Sequence, residues 1–158
     1  MVKDNENARG RYVACLLRLA GHDFMDFRPD ESSWKVGGSD GCLNFNDPDN
    51  KGLPSCIIQF KLNDVLDKHK DKISVADFIV LAAEAAIAVS SEGFDKESPY
   101  EGGAFADDLM LSFRYGRTTR ETCSWNTGRM PNPEHGVHGN GLGENGLQTV
   151  FIDNVYRG

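Results

Sequence analysis

Apolar positions recur at helical spacing over residues 9–22, RGRYVACLLRLAGH, where Val13, Leu16, Leu17 and Ala20 make one packed side and no proline interrupts. This predicts a first helix, preceded by a polar tail over residues 1–8. A second helix is expected over 57–70, with Ile57, Ile58, Phe60, Leu62, Val65 and Leu66 apolar and lysines toward its end, where the helix dipole favours cations. His69 belongs to that polar end. Ser74 is a good N-cap with Asp77 three residues on, and 75–89 is apolar nearly all round, as in a helix buried on most sides. Its single charge, Glu84, either reaches the surface, which is the expectation, or is a buried acid with a raised pKa in a hydrogen-bond network. A last amphipathic stretch, 144–156, sets Leu147, Val150, Phe151 and Val155 on one side. Between these lie a turn at Arg28 to Ser33, a bend at Gly37-Gly38 and a polar loop over 90–108. A short strand or turn of helix is expected at 109–113, and an irregular stretch rich in Gly, Asn and Pro over 125–143. The reading is an all-α domain with long irregular loops, spanning residues 9–158.

Length and charge narrow the function classes. The chain has 158 residues, the size of one domain with a real core. A net charge of -7 and a pI near 5.0 argue against general nucleic-acid binding, which wants a basic face. No apolar run approaches the roughly 20 residues of a membrane span, and the first ten residues carry no apolar signal segment. The compartment is left open.

Metal and nucleotide motifs are weak. Cys15, Cys42, Cys56 and Cys123 are too widely spaced for a zinc pattern. They allow two disulfides in three connectivities, and Cys15 equally suits a buried thiol. His135 and His138 lack a third ligand nearby, and Gly139, Gly141 and Gly143 follow no strand, so the dinucleotide fingerprint fails. Residues 46–50 look like an EF-hand opening, but Ile58 stands where the closing Glu belongs.

The chemistry gathers in Arg18-Leu-Ala-Gly-His22-Asp23. Residues four apart share a helix face, so Arg18 and His22 project side by side. A neutral imidazole takes a proton from a weakly acidic substrate and returns it to a leaving group. A guanidinium beside it keeps its charge and stabilises the anion that develops. Heterolysis of a peroxide O–O bond needs both roles, although such a spacing on its own is common on amphipathic helices.

Context gives the pair its weight. Arg18-x-x-x-His22-Asp23 is followed, in order, by Gly37-Gly38-Ser39-Asp40-Gly41, by the 45–53 stretch FNDPDNKGL, and by Ile73-Ser74-Val75-Ala76-Asp77 opening an Ala-rich helix. Ser112-Phe-Arg-Tyr-Gly116-Arg117 and Arg129-Met130-Pro131-Asn132-Pro133 extend the series. The ordered set resembles the distal half of the plant, fungal and bacterial haem peroxidase superfamily, over roughly residues 10–157. The resemblance implies the distal helical half of a haem-peroxidase fold, reducing hydrogen peroxide and oxidising a small electron donor in the response to oxidative stress. It casts His22 as general acid/base, Arg18 as stabiliser of the departing oxygen, and Asn50 as acceptor of the His22 Nδ1–H. The implied cofactor is haem b, against Arg18, His22 and the loop of Pro131.

It also implies a calcium ion, with Asp23 and Asp40 as carboxylate ligands and Gly38 as a carbonyl ligand, and Cys42 where the family keeps a hydroxyl. Gly21 stands where the family keeps a Phe or Trp, and Phe24 where it keeps a small residue or Cys. The family's iron-binding histidine falls on a helix beyond Gly158, so a further proximal segment or a partner chain is expected to supply it. A reading of another class, a non-catalytic peroxidase-like structural or interaction protein, draws on Gly21, Cys42 and the missing proximal ligand.

Overall fold

The structure is a computed structural model, and it describes residues 6–27, 37–91 and 112–123. Among these the regular elements are helical: α1 (Glu6–Met25), a 3-10 turn (Pro48–Asn50), α2 (Leu53–Gln59), α3 (Leu62–Leu66) and α4 (Val75–Ser91). The all-α expectation holds for these residues. None of the described helices is long and apolar enough to cross a membrane. α4 runs two residues into the expected 90–108 loop, through Ser91. The expectations for Arg28 to Ser33, the rest of that loop, Pro131 and its neighbours, His135, His138 and the 144–156 helix lie outside the described residues.

The first helix runs further at both ends than the apolar pattern predicts. Residues 6–8 belong to it and not to a tail, and it continues three residues past His22. Its buried positions are Cys15, Leu16, Leu19 and Asp23, while Val13 and Ala20 are partly covered and Leu17 is 39 % exposed. The buried side is thus turned away from Leu17, because α1 packs on two partners, α2 and α4.

In α4 the buried positions are Ala76, Asp77, Ile79, Ala83 and Ala86, of which Ile79 and Ala86 pack with Leu16 and Leu19 in the core. Ser74 caps the helix, its Oγ accepting from Asp77 N–H at 3.0 Å. Glu84 does not reach freely into solvent: it is half-buried, and its Oε2 is enclosed with no hydrogen-bond partner among the described residues. Burial raises its pKa, and the Arg117 charge opposes that rise.

The expected helix over 57–70 is instead two short helices, broken at Lys61, which takes a left-handed conformation at φ 52 and ψ 41. Packing explains the break. Phe60 lies edge-on to Tyr12, with ring centroids 5.2 Å apart, and Leu62 is buried in the core. On one continuous helix two residues apart would point to nearly opposite sides, so both reach the core only if the helix is interrupted. Ile58 is left 74 % exposed.

Two disulfides fasten this frame. Cys15–Cys56 joins α1 to α2, and Cys42–Cys123 joins the loop after Gly41 to the 113–123 segment. Asp77, 4 % exposed, ties the same segment to the start of α4. It accepts from the N–H groups of Gly116 (2.8 Å) and Arg117 (3.3 Å) and from the Arg117 guanidinium (2.9 Å).

Candidate functional site

Cys15, Arg18 and His22 fall at i, i+3 and i+7 on α1, so one stripe of the helix carries all three. The loop facing that stripe is braced from within. Asp47 Oδ1 accepts from Asp49 N–H at 3.0 Å and caps the 3-10 turn, which carries a proline at its start. The buried Asn50 donates through Nδ2 to the carbonyl of Asn44 at 2.9 Å. That bond fixes the amide so that Oδ1 faces α1.

His22 Nδ1 lies 2.9 Å from Asn50 Oδ1. An amide oxygen only accepts, so the proton sits on Nδ1 and Nε2 is the basic nitrogen. Nε2 has no hydrogen-bond partner among the described residues. Burial lowers the His22 pKa below its ordinary 6.5; the bond to Asn50 opposes this and the Arg18 charge adds to it. The ring is neutral at pH 7, as a base requires.

Arg18 is exposed, one turn before His22. Its Nη2 donates to the carbonyls of Lys51 (2.9 Å) and Asp49 (3.3 Å), the residues on either side of Asn50. Both bonds leave from one terminal nitrogen, so Nε and Nη1 keep donors for an anionic group. Gly52, at φ 90, completes the fit: a Cβ there would lie 3.3 Å from Arg18 Nη1. Beside His22, a Cβ on Gly21 would meet only Met25 Cε, at 3.7 Å, so no aromatic wall stands at that position.

A carboxylate group lies behind this face. Asp23 is 1 % exposed; its Oδ2 accepts from Gly41 N–H at 3.1 Å, and its Oδ1 is enclosed without a partner among the described residues. Burial, with the charges of Asp40 and Asp26 nearby, raises its pKa to about 7, against hydrogen bonds from the Gly41 and Cys42 amides. Asp40 Oδ1 accepts from Cys42 N–H at 3.0 Å, and its Oδ2 lies 3.4 Å from Arg120 Nε. The Gly38 carbonyl accepts from Asp40 N–H at 2.6 Å.

As a calcium site this set fits only in part. Asp23 offers an open oxygen, but Asp40 is paired with Arg120, and the Gly38 carbonyl is taken up by its own turn. Among the described residues, no group of three or more His, Cys, Asp or Glu side chains is arranged to hold a metal ion. Cys42, at the hydroxyl position, is held in a disulfide.

The structure therefore brings Arg18, His22 and Asn50 together on one side of α1's C-terminal half, and Asp23, Gly38 and Asp40 on another. Three contributors escape sequence reasoning. Asn44 orients Asn50, Arg120 pairs with Asp40, and Asp26 accepts from Gly38 N–H at 2.6 Å. Asp26 had a weak signal, lying three residues after Asp23 and just past the end of α1. Asn44 and Arg120 had none, because their partners are set by loops.

Compared with family models, with curated proteins and with solved structures, the chain matches none of them.

Proposed function

We propose that this chain is the distal portion of a haem peroxidase. The carrying observation is the 2.9 Å contact between His22 Nδ1 and Asn50 Oδ1, which leaves Nε2 as a neutral base beside the fixed Arg18 charge. Haem b, when bound, supplies the iron at which hydrogen peroxide is cleaved. His22 would take a proton from hydrogen peroxide at Nε2 and return it to the departing oxygen, which leaves as water. Arg18 stabilises the negative charge on that oxygen through the donors its carbonyl contacts leave unused. Asn50 holds the tautomer throughout. The two electrons that this cleavage consumes would come from a small donor in one-electron steps.

The described residues supply the distal roles. The described histidines are His22, whose Nε2 serves as the base in this reading, and His69, which lines an apolar groove of about 940 Å³ between α1 and α4. The iron ligand is therefore expected from elsewhere. Calcium remains in the reading on one observation, the enclosed and unpartnered Asp23 Oδ1.

A second reading, a peroxidase-like interaction protein without catalysis, is favoured by Gly21, whose missing side chain leaves no wall beside His22. A haem titration followed in the visible spectrum, with peroxide added at the end, separates the two. Saturable one-to-one binding with a peroxide-induced shift supports the enzyme, and His22→Ala is then expected to slow turnover by about 10²-fold or more. Haem binding with only a background rate, unchanged by that substitution, leaves the interaction reading.

A further inference from the structure

The stripe on α1 and the segment opposite it match rung by rung. Arg18 meets the carbonyls of Asp49 and Lys51, His22 meets Asn50, and Cys15, one turn before Arg18, is bonded to Cys56, one turn into α2. The first two rungs are hydrogen bonds to a loop whose regular structure, among the described residues, is a three-residue turn. The third is covalent. It closes the chain between two residues 41 apart, and the loop so closed contains Arg18, His22, Asp23, Asp26, Gly38, Asp40 and Asn50.

We propose that the Cys15–Cys56 disulfide is the positioning element of the His22–Asn50 pair: it fixes the register between the Cys15–Arg18–His22 stripe and the Asp49–Lys51 segment, and so fixes which imidazole nitrogen carries the proton. Leu53 ties α2 to the core by burial, but α2 is seven residues long and gains little from its own helical hydrogen bonds. Rotation of α2 about its axis would move the turn just before it, which carries Asn50, and among the described residues this bridge is the disulfide between α1 and α2. The second disulfide, Cys42–Cys123, makes none of the rungs: it ties Cys42, two residues before Asn44, to the 113–123 segment. General stabilisation belongs to both bridges; register belongs to one.

This inference goes beyond the peroxidase reading and does not depend on haem. Its test uses the full chain without cofactor, with histidines labelled in both ring nitrogens. In the wild type the His22 nitrogens are expected to show a single tautomer, protonated at Nδ1. In C15A/C56A that signature is expected to give way to an average of two tautomers, while C42A/C123A keeps it. A single Nδ1–H tautomer retained in C15A/C56A, or lost equally in C42A/C123A, overturns the proposal.

Where C15A/C56A lacks the helical circular dichroism of the wild type, the native chain is treated with a dithiol. Two electrons and two protons then convert each accessible bridge to two thiols with no loss of packing volume, and alkylation with mass analysis shows which bridge opened. Tautomer averaging in a still-helical chain opened at Cys15–Cys56 supports the proposal. Loss of all helix in both samples overturns it, because the bridge would then hold the domain as a whole and not the pair.

Discussion

His22 and Asn50, 28 residues apart in the chain, meet with Nδ1 and Oδ1 2.9 Å apart. Asn50→Ala leaves the part-buried imidazole N–H without its partner and takes one of two donors from the Asn44 carbonyl, which keeps the Asp47 N–H, so unfolding in urea is expected to show a loss of about 1–3 kcal/mol. Asn50→Asp has a different effect. A carboxylate facing Nδ1 favours the imidazolium, and the His22 pKa should rise above the wild-type value in an NMR titration. A pKa that stays put would mean that Asn50 is not the group that orients the ring.

Asp23 makes stability depend on pH in the direction opposite to most carboxylates. Its pKa is raised from 3.8 to about 7, so between those values the folded chain holds a proton that the unfolded chain has released. Stability is therefore expected to fall as pH rises from about 4 to about 7, by on the order of a few kcal/mol, and Asp23→Asn should remove that slope. Calcium gives the second arm. A cation that holds Asp23 ionised would flatten or reverse the slope, whereas identical slopes with and without millimolar calcium would remove it from the functional reading.

What the chain discloses on its own is what rests on local rules. The courses of α1 and α4 follow from period and from the Ser74 cap, and those are interactions within about a turn. Lys61 shows where that stops. The break there exists because Phe60 must meet Tyr12 while Leu62 enters the core, and neither demand can be read from residues 57–70. Glu84 is similar, since which side of an apolar helix is covered depends on its neighbours. The disulfide connectivity needed the fold, because three pairings were open on spacing alone. In the candidate site, Arg18 and His22 are juxtaposed by helix geometry, but Asn50 enters from sequence only through the family resemblance. Nothing local in a loop turn says which imidazole it will face.

Asp77 supplies an ordinary acid limb. Burial would raise its pKa, but the amides of Gly116 and Arg117 and the Arg117 guanidinium hold it below 3.8. Its contribution is present above the unfolded value and is lost as pH falls through the lowered folded value. Together with Asp23 this predicts a stability maximum near about pH 4–5 for the calcium-free chain, measured by thermal unfolding across pH. Asp77→Ala should abolish the acid limb and cost about 1–3 kcal/mol, since it removes the acceptor of two amides and of the Arg117 guanidinium, which keeps its bond to the Arg114 carbonyl. A variant as stable as the wild type would mean that the 113–117 segment docks without this pair.

Gly41 and Gly10 separate a backbone requirement from mere tolerance. Gly41 has φ 72, and a Cβ there would lie 2.8 Å from the backbone nitrogen of Ala76 and 3.1 Å from its Cα, at the start of α4. Neither atom is the end of a flexible side chain, so the loop must move. The same amide donates to Asp23 Oδ2, so moving it also disturbs the carboxylate behind the candidate site. Gly41→Ala is expected to destabilise by about 1–3 kcal/mol and to change the Asp23 pH slope as well. Gly10, in contrast, lies exposed within α1 with nothing within 4 Å of its Cβ position. Gly10→Ala should stabilise by about 0.5–1 kcal/mol through backbone entropy and leave the pH slope unchanged. If both alanines have the same small effect in denaturant titrations, the approach of the 37–41 loop to α4 is not what anchors Asp23.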